Sequence, residues 1–124
     1  MARARQFAGY LPAVAYAAVL LYFGTRAGGP EILSRGHLDK VAHFSAYAGL
    51  GALLAWGWLK AGRRPAAGVL VAAALAQGMA EELLQTRIPG RYGDPLDWLA
   101  DAAGAITGFM VAARAIAQAG NRVE

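Results

Sequence analysis

Long apolar segments alternate with short polar ones along the whole chain. Four segments are almost free of charge, and each with its flanks approaches the roughly 20 residues that a helix needs to cross a bilayer. The pattern predicts transmembrane helices over about residues 7–24, 39–60, 65–86 and 95–116. Ala, Gly and Leu dominate these segments, and small residues favour close helix packing in a membrane. The sequence therefore predicts an all-α fold, a polytopic integral membrane four-helix bundle that forms a single domain over residues 1–124.

Composition favours a membrane protein over a soluble one. Hydrophobic residues make up 57% of the 124 positions and charged residues only 16%, against roughly 25% charged residues in soluble domains. The net charge of +4 would suggest nucleic acid only if the chain were soluble. The basic residues instead lie at the predicted helix ends, so we expect membrane lipids and no nucleic acid as partners. The sequence contains no cysteine, which excludes disulfides and thiol chemistry.

The basic residues favour one orientation in the membrane. Four antiparallel helices place both termini on one side, together with the 60–65 connection. That side carries seven basic residues and the opposite side carries five, so the positive-inside rule predicts cytoplasmic termini. The seven are Arg3, Arg5, Lys60, Arg63, Arg64, Arg114 and Arg122, and the five are Arg26, Arg35, Lys40, Arg87 and Arg91. The first segment lacks a clear cleavage site, so we expect it to be retained.

The acidic residues gather on the side opposite the termini. Seven of the eight fall there, namely Glu31, Asp39, Glu81, Glu82, Asp94, Asp97 and Asp101. The start of the second predicted helix, the end of the third and the start of the fourth all meet at this side. Ionisable groups next to hydrocarbon are costly and need partners, which makes them candidates for a functional site.

Helical spacing places these groups on shared faces. Asp39, Lys40 and His43 fall within an arc of about 100° on the second predicted helix. On the fourth, Asp97 and Asp101 share a stripe with a GxxxG motif, which is typical of helix contacts in membranes. If that stripe faces the bundle, both carboxylates face it too.

Structural roles account for some of these residues. Asp94 is expected to be the N-cap of the fourth helix, followed by Pro95 at its first position. Asp97 could combine capping with a site role, whereas Asp101 is one turn too deep to cap. Glu81 and Glu82 end a helix whose dipole disfavours negative charge, so a cation is expected to compensate them. A structural ion-pair network and a ligand site both remain open.

The ordered motifs resemble the VanZ-like family of small bacterial membrane proteins. The similarity covers about Asp39 to Gly108, more than half of the chain. The matching residues are Asp39-Lys40-x-x-His43-Phe44, Tyr47, Leu50-Gly51, Glu82-x-x-Gln85, Pro89-Gly90-Arg91, Asp97, Gly104 and Gly108. Asp101 stands where the family often carries Asn, which adds a carboxylate to the site.

The resemblance implies a protein of the bacterial cytoplasmic membrane, an accessory factor in resistance to teicoplanin and related drugs. Those drugs act on lipid-linked cell-wall precursors outside this membrane. We therefore expect a non-enzymatic protein with an outward-facing polar cavity that binds an anionic lipid-linked ligand, without a cofactor or a resident metal. The predicted ligand-binding residues are Asp39, Lys40, His43, Glu82, Gln85, Arg91, Asp97 and Asp101.

Two other functions are compatible with the same residues. An intramembrane hydrolase of a lipid phosphate would use His43, Glu82 and the two aspartates of the fourth helix to bind a divalent metal, or one carboxylate as general base. The sequence lacks paired histidines and a nucleophile elbow, which counts against that activity. A small proton-coupled transporter is the other alternative, because membrane carboxylates suit a proton relay. Neither the oligomeric state nor the catalytic residues of an enzyme follow from the sequence.

Overall fold

The chain forms an antiparallel bundle of long helices. This computed structural model describes residues 2–26 and 37–122. The predicted outer-side residues Glu31 and Arg35 lie outside the described residues. The helices are α1 (Ala2–Phe7), α2 (Leu11–Gly24), α3 (His37–Lys60), α4 (Ala67–Gln85) and α5 (Pro95–Asn121).

The first predicted helix is built from α1, a 3-10 turn at Ala8–Tyr10, and α2. Pro12 explains the change of geometry, because it has no N–H to donate to the residue four positions earlier. Leu11 instead donates its backbone N–H to Ala8, in the tighter 3-10 pattern. The helical path continues through the proline, so the first predicted helix is confirmed and extends further toward the N-terminus.

The other three predicted helices are confirmed with modest changes at their ends. Helix α3 starts two residues before the predicted position, and α4 is slightly shorter than predicted. Helix α5 continues to Asn121 instead of ending near residue 116. Ala-rich sequence follows Arg114, and Ala has the highest helix propensity. The helix therefore extends beyond the apolar segment on which the prediction was based.

Within the described residues, three helical segments are long and apolar enough to cross a membrane: Ala4–Gly24, Ala67–Gln85 and Pro95–Asn121. They support a multi-pass membrane protein. Helix α3 has 24 residues, or about 36 Å at 1.5 Å per residue, and is less apolar because its first two turns carry charged residues. Large apolar side chains on the outside of the bundle, such as Leu11, Val69 and Val111, are more than half exposed, as expected of a surface that faces lipid.

Helices α3 and α5 make the most extensive contact in the bundle. Gly104 and Gly108 of α5 lie directly against the backbone of Phe44 and Ala48, so neither position has room for a Cβ atom. Gly51 of α3 lies equally close to the α5 backbone. The GxxxG prediction is therefore confirmed, and the same stripe turns Asp97 and Asp101 toward α3.

Hydrogen bonds between helix ends confirm the antiparallel arrangement. At the end that holds the N-terminus, Gln6 donates to the Ala61 carbonyl at 2.8 Å and Tyr10 donates to the Arg64 carbonyl at 2.6 Å. At the opposite end, the carbonyl of Gly24 meets side chains from the end of α4 and from the loop after it. The starts of α3 and α5 lie at that second end, together with the acidic residues.

Candidate functional site

Lys40 joins the starts of α3 and α5. Its ammonium donates to Asp94 Oδ2 at 2.7 Å and makes a short hydrogen bond to Asp97 Oδ1. It also lies 3.5 Å from Oδ2 of the neighbouring Asp39. The Lys40 side chain is 30% exposed and that of Asp97 only 8%. The positive charge of Lys40 is therefore shared among carboxylates of this chain.

His43 lies one turn deeper and contacts three carboxylates. Its Nδ1 atom is 2.8 Å from Oδ1 of the fully buried Asp101. Its Nε2 atom faces Asp97 Oδ2 at 3.6 Å and Asp39 Oδ1 at 3.7 Å. We call the set Asp39, Lys40, His43, Asp94, Asp97 and Asp101 the polar cluster.

Asp94 has two roles in the polar cluster. Its Oδ1 caps α5 by accepting from the Leu96 backbone N–H at 2.9 Å, and Pro95 follows at the first helical position, so the predicted cap is confirmed. Its other oxygen pairs with Lys40. The hydrogen bond from Lys40 and the one from the Leu96 backbone lower the pKa of the Asp94 carboxyl, which keeps it ionised at neutral pH.

The two glutamates at the end of α4 take partners other than the expected cations. Glu82 Oε2 accepts from the Asp94 backbone N–H at 2.8 Å, which ties α4 to the start of α5. Glu81 lies beside Gly24 and 3.4 Å from the amide of Gln77. Within residues 2–26 and 37–122, neither glutamate makes a salt bridge. The expected compensation by a cation is thus replaced by neutral hydrogen-bond donors.

Gln85 and Arg91 form a separate contact at the end of α2. Gln85 donates to the Gly24 carbonyl at 2.8 Å, and Arg91 donates to the same oxygen at 2.6 Å. A helix leaves its last carbonyls without intrahelical partners, and these two side chains satisfy one of them. The contact fixes one edge of the Arg91 guanidinium, and its other N–H groups donate to no residue that the structure describes.

A tight turn places Arg91 in this position. The Arg91 backbone N–H donates to the Ile88 carbonyl at 3.1 Å, which closes a turn through Pro89 and Gly90. Gly90 has a φ of +80°, a value that L side chains rarely adopt. Proline followed by a glycine with positive φ is the pattern of a type II turn, so the Pro-Gly-Arg motif acts by aiming the arginine.

Three buried polar atoms next to His43 or one turn deeper lack a hydrogen bond within the part of the chain that the structure describes. They are the Tyr47 hydroxyl, Glu82 Oε1 and Asp101 Oδ2. An unpaired buried polar group costs roughly 1–3 kcal/mol. Glu82 and Asp101 thus each place near His43 one buried carboxyl oxygen that no described residue satisfies, and such atoms call for an explanation such as an ordered water, an ion or a functional role.

The predicted site residues separate into two groups in space. The polar cluster unites five of them, Asp39, Lys40, His43, Asp97 and Asp101, and Glu82 joins it through the backbone of Asp94. Gln85 and Arg91 instead meet at Gly24. The sequence prediction assigned Asp94 to capping alone, and its ion pair with Lys40 was missed. The Asp-Pro helix start was already a complete explanation of this residue, so no further signal pointed to the pair.

Among the described residues, histidine and carboxylate groups of the polar cluster and the adjacent Glu82 form two sets that could hold a metal ion. One comprises Asp39, His43 and Asp97, and the other His43, Glu82 and Asp101, each with ligand atoms within 4.8 Å of one another. A shallow groove between α2, α3 and α4 lies apart from both sets. It is lined by apolar side chains, among them Ala13, Leu50 and Ala74, with Gln77 as a polar member.

Comparison with known proteins identifies the family. A family model described as VanZ/LLP1 matches residues 6–117, nearly the whole chain. The match includes every residue of the polar cluster as well as Gln85 and Arg91. No curated protein and no solved structure matches the chain significantly.

Proposed function

Because the chain belongs to the VanZ/LLP1 family, we propose that it is a non-enzymatic accessory factor of the cell envelope. In this proposal it engages an anionic lipid-linked cell-wall intermediate and so alters the response to glycopeptide antibiotics of the teicoplanin type. The ligand meets the end of the bundle that carries the polar cluster, and it enters from the membrane surface between the loop after α4 and the start of α3.

One observation carries the ligand assignment: the two arginines of the 87–94 loop have no acidic partner among residues 2–26 and 37–122. Neither Arg87 nor Arg91 forms a salt bridge with a residue in the described ranges. Lys40, by contrast, is engaged by Asp94 and Asp97. The anion contacts therefore fall to the arginines, and Lys40 becomes a structural member of the cluster.

The chemistry of arginine supports a phosphate ligand at this loop. A guanidinium offers a planar fork of N–H donors that matches phosphate oxygens two at a time. Arg91 uses one N–H at the Gly24 carbonyl, which holds the fork in place and lowers the entropy lost on binding. Arg87 is exposed two residues after the end of α4 and supplies a second cation at the membrane surface.

In the proposed orientation, this loop lies outside the cytoplasmic membrane. Seven basic residues lie on the side of the termini and five on the other side, which favours cytoplasmic termini. Lipid-linked cell-wall intermediates that are exposed to glycopeptides lie on the outer side. The loop and the proposed ligand then share one compartment.

A hydrolase acting on a lipid phosphate is the second candidate function. The observation in its favour is the hydrogen bond between His43 Nδ1 and the buried Asp101, because a carboxylate that orients a histidine is a recurrent feature of acid–base catalysis. Release of inorganic phosphate from a polyprenyl diphosphate by the purified protein, abolished by His43→Gln, would support this function over the accessory role.

The accessory role predicts a loss of antibiotic response in arginine variants. Expression of the wild type in a teicoplanin-susceptible bacterium should raise the inhibitory concentration of teicoplanin, and Arg91→Gln should remove most of that rise. Losing a charge-assisted hydrogen bond costs about 1.5–3 kcal/mol, or more than tenfold in affinity. Inhibitory concentrations are measured beside the amount of each protein in the membrane.

Arg114→Gln is the matched control, because Arg114 is exposed in the half of α5 away from the polar cluster. It should behave like the wild type. Equal inhibitory concentrations for the Arg91 variant and the wild type, at equal membrane levels, would contradict the proposed use of Arg91. Disappearance of the Arg91 variant from the membrane would assign the residue to folding instead.

A further inference from the structure

The two ring nitrogens of His43 face different surroundings. Nδ1 is 2.8 Å from the Asp101 carboxylate, an acceptor, so Nδ1 carries the proton when the imidazole is neutral, as a metal ligand must be. The lone pair is then on Nε2, which points toward Asp97 and Asp39. A carboxylate that fixes one histidine nitrogen while the other faces a cation is the recurrent arrangement of metal-binding histidines.

The distances on the Nε2 side are too long for hydrogen bonds and suited to a shared ion. Nε2 is 3.6 Å from Asp97 Oδ2 and 3.7 Å from Asp39 Oδ1, beyond the 2.7–3.2 Å of an N–H···O bond. Two ligand atoms at 2.0–2.2 Å from one tetrahedral Zn²⁺ are about 3.4 Å apart. Both nitrogen–oxygen distances thus lie within a few tenths of an ångström of the spacing that one ion requires, and one ligand atom from each of the three residues lies within 4.8 Å of the other two.

In both Asp39 and Asp97, one carboxylate oxygen faces Lys40 and the other faces Nε2 of His43. Lys40 takes Oδ1 of Asp97 and approaches Oδ2 of Asp39, while the opposite oxygens face His43. The Asp97 side chain is only 8% exposed, and its Oδ2 accepts no hydrogen bond from the residues that the structure describes. This oxygen of a nearly buried side chain therefore faces the histidine.

The charge of the cluster also favours a cation. Asp39, Asp94, Asp97 and Asp101 contribute four carboxylates, against the single permanent positive charge of Lys40. Buried charges are retained when they are paired or coordinate metal. A donor set of one imidazole nitrogen and two carboxylate oxygens suits Zn²⁺ and related first-row divalent ions.

We propose that the chain binds one divalent transition-metal ion, of the Zn²⁺ class, through Asp39, His43 and Asp97. Asp101 is a positioning residue that holds the imidazole by its Nδ1–H. The side chain of Asp39 is 32% exposed, so the ion enters from the aqueous side, and water fills the remaining coordination positions. The site uses neither arginine of the 87–94 loop.

Metal binding by the full-length protein in detergent tests this proposal without any lipid ligand. The protein is stripped with a chelator, supplied with Zn²⁺ and dialysed, and the bound metal is measured by mass spectrometry and by calorimetry. The wild type should retain about one ion per chain. The variants His43→Gln and Asp97→Asn should lose it, and Asp101→Asn should weaken binding about 10–100-fold, as expected of an outer-shell partner.

His37→Gln is the matched control, because His37 is an exposed histidine on the same helix. It should bind Zn²⁺ like the wild type. Wild-type protein that keeps its helical circular dichroism but retains no Zn²⁺ overturns the proposal, as does equal binding by the His43 variant. If a variant fails to fold, the wild type alone still tests the proposal. Its melting temperature should rise when Zn²⁺ replaces the chelator.

The outcome of the Zn²⁺-binding experiment does not depend on the proposed lipid ligand. Failure of Zn²⁺ binding leaves the role of Arg87 and Arg91 as proposed, and loss of antibiotic response in Arg91→Gln does not depend on His43.

Discussion

Replacing Gly108 by leucine should destabilise the bundle by about 3 kcal/mol or more, at the upper end of the cost of overpacking. A Cβ atom at Gly108 would overlap the backbone carbonyl of Ala48 on α3. A backbone cannot rotate away as a side chain can, so α3 and α5 must separate along their most extensive contact. Unfolding in detergent, followed by tryptophan fluorescence, measures the loss.

Gly120→Leu is the control for this change, because it lies on the same helix and a Cβ atom there meets nothing within 4 Å. We expect its unfolding free energy to remain within about 0.5 kcal/mol of the wild type. If Gly108→Leu were as stable as Gly120→Leu, this result would contradict the close contact between α3 and α5 at Gly108.

Lys40→Met should destabilise the protein by about 2 kcal/mol, because the nearly buried Asp97 loses its cation. Removing one partner of a fully buried ion pair costs about 3–5 kcal/mol. A smaller value is expected here, since the Lys40 side chain is 30% exposed and solvent screens the pair. Lys40→Arg should recover most of the loss, and the unfolding free energy is the measurement.

The double variant Lys40→Met, Asp97→Asn separates the charge effect from packing. With both charges removed, we expect stability to return toward that of Asp97→Asn alone, which a double-mutant cycle reports as coupling. Lys60→Met is the control at the other end of α3, where the ammonium lies 4.8 Å from the centre of the Trp56 ring, and should cost less than about 1 kcal/mol. If Lys40→Met lost no more unfolding free energy than Lys60→Met, the Lys40 ammonium would not stabilise the buried Asp97.

Helical periodicity explains why much of the architecture could be predicted. Asp97, Asp101, Gly104 and Gly108 recur at spacings of four, three and four residues, so they occupy one face of any helix. The glycines require a close neighbour, and this fixes the direction of the carboxylates as well. The lengths of the apolar segments predicted the number of helices. The end of α5 was predicted too early, because alanine residues continue the helix beyond the apolar segment.

The pairing of individual side chains could not be predicted from spacing. Arg91 reaches the Gly24 carbonyl, and Glu82 accepts from the Asp94 backbone. Both contacts depend on the path of the loop between α4 and α5, and several pairings of the same charges satisfy the helical faces equally well. Which oxygen of Asp97 faces Lys40 and which faces His43 likewise depends on side-chain rotamers.

The lipid that the protein carries from its own membrane tests the proposed ligand site most directly. The protein is extracted with its surrounding lipid in a polymer disc, and bound lipids are identified by mass spectrometry for the wild type, Arg87→Gln/Arg91→Gln and the control Arg114→Gln/Arg122→Gln. The proposed function predicts an anionic envelope lipid that is enriched with the wild type and the control and lost from the loop variant. Lipid of bulk composition in all three, or equal enrichment in all three, would contradict it.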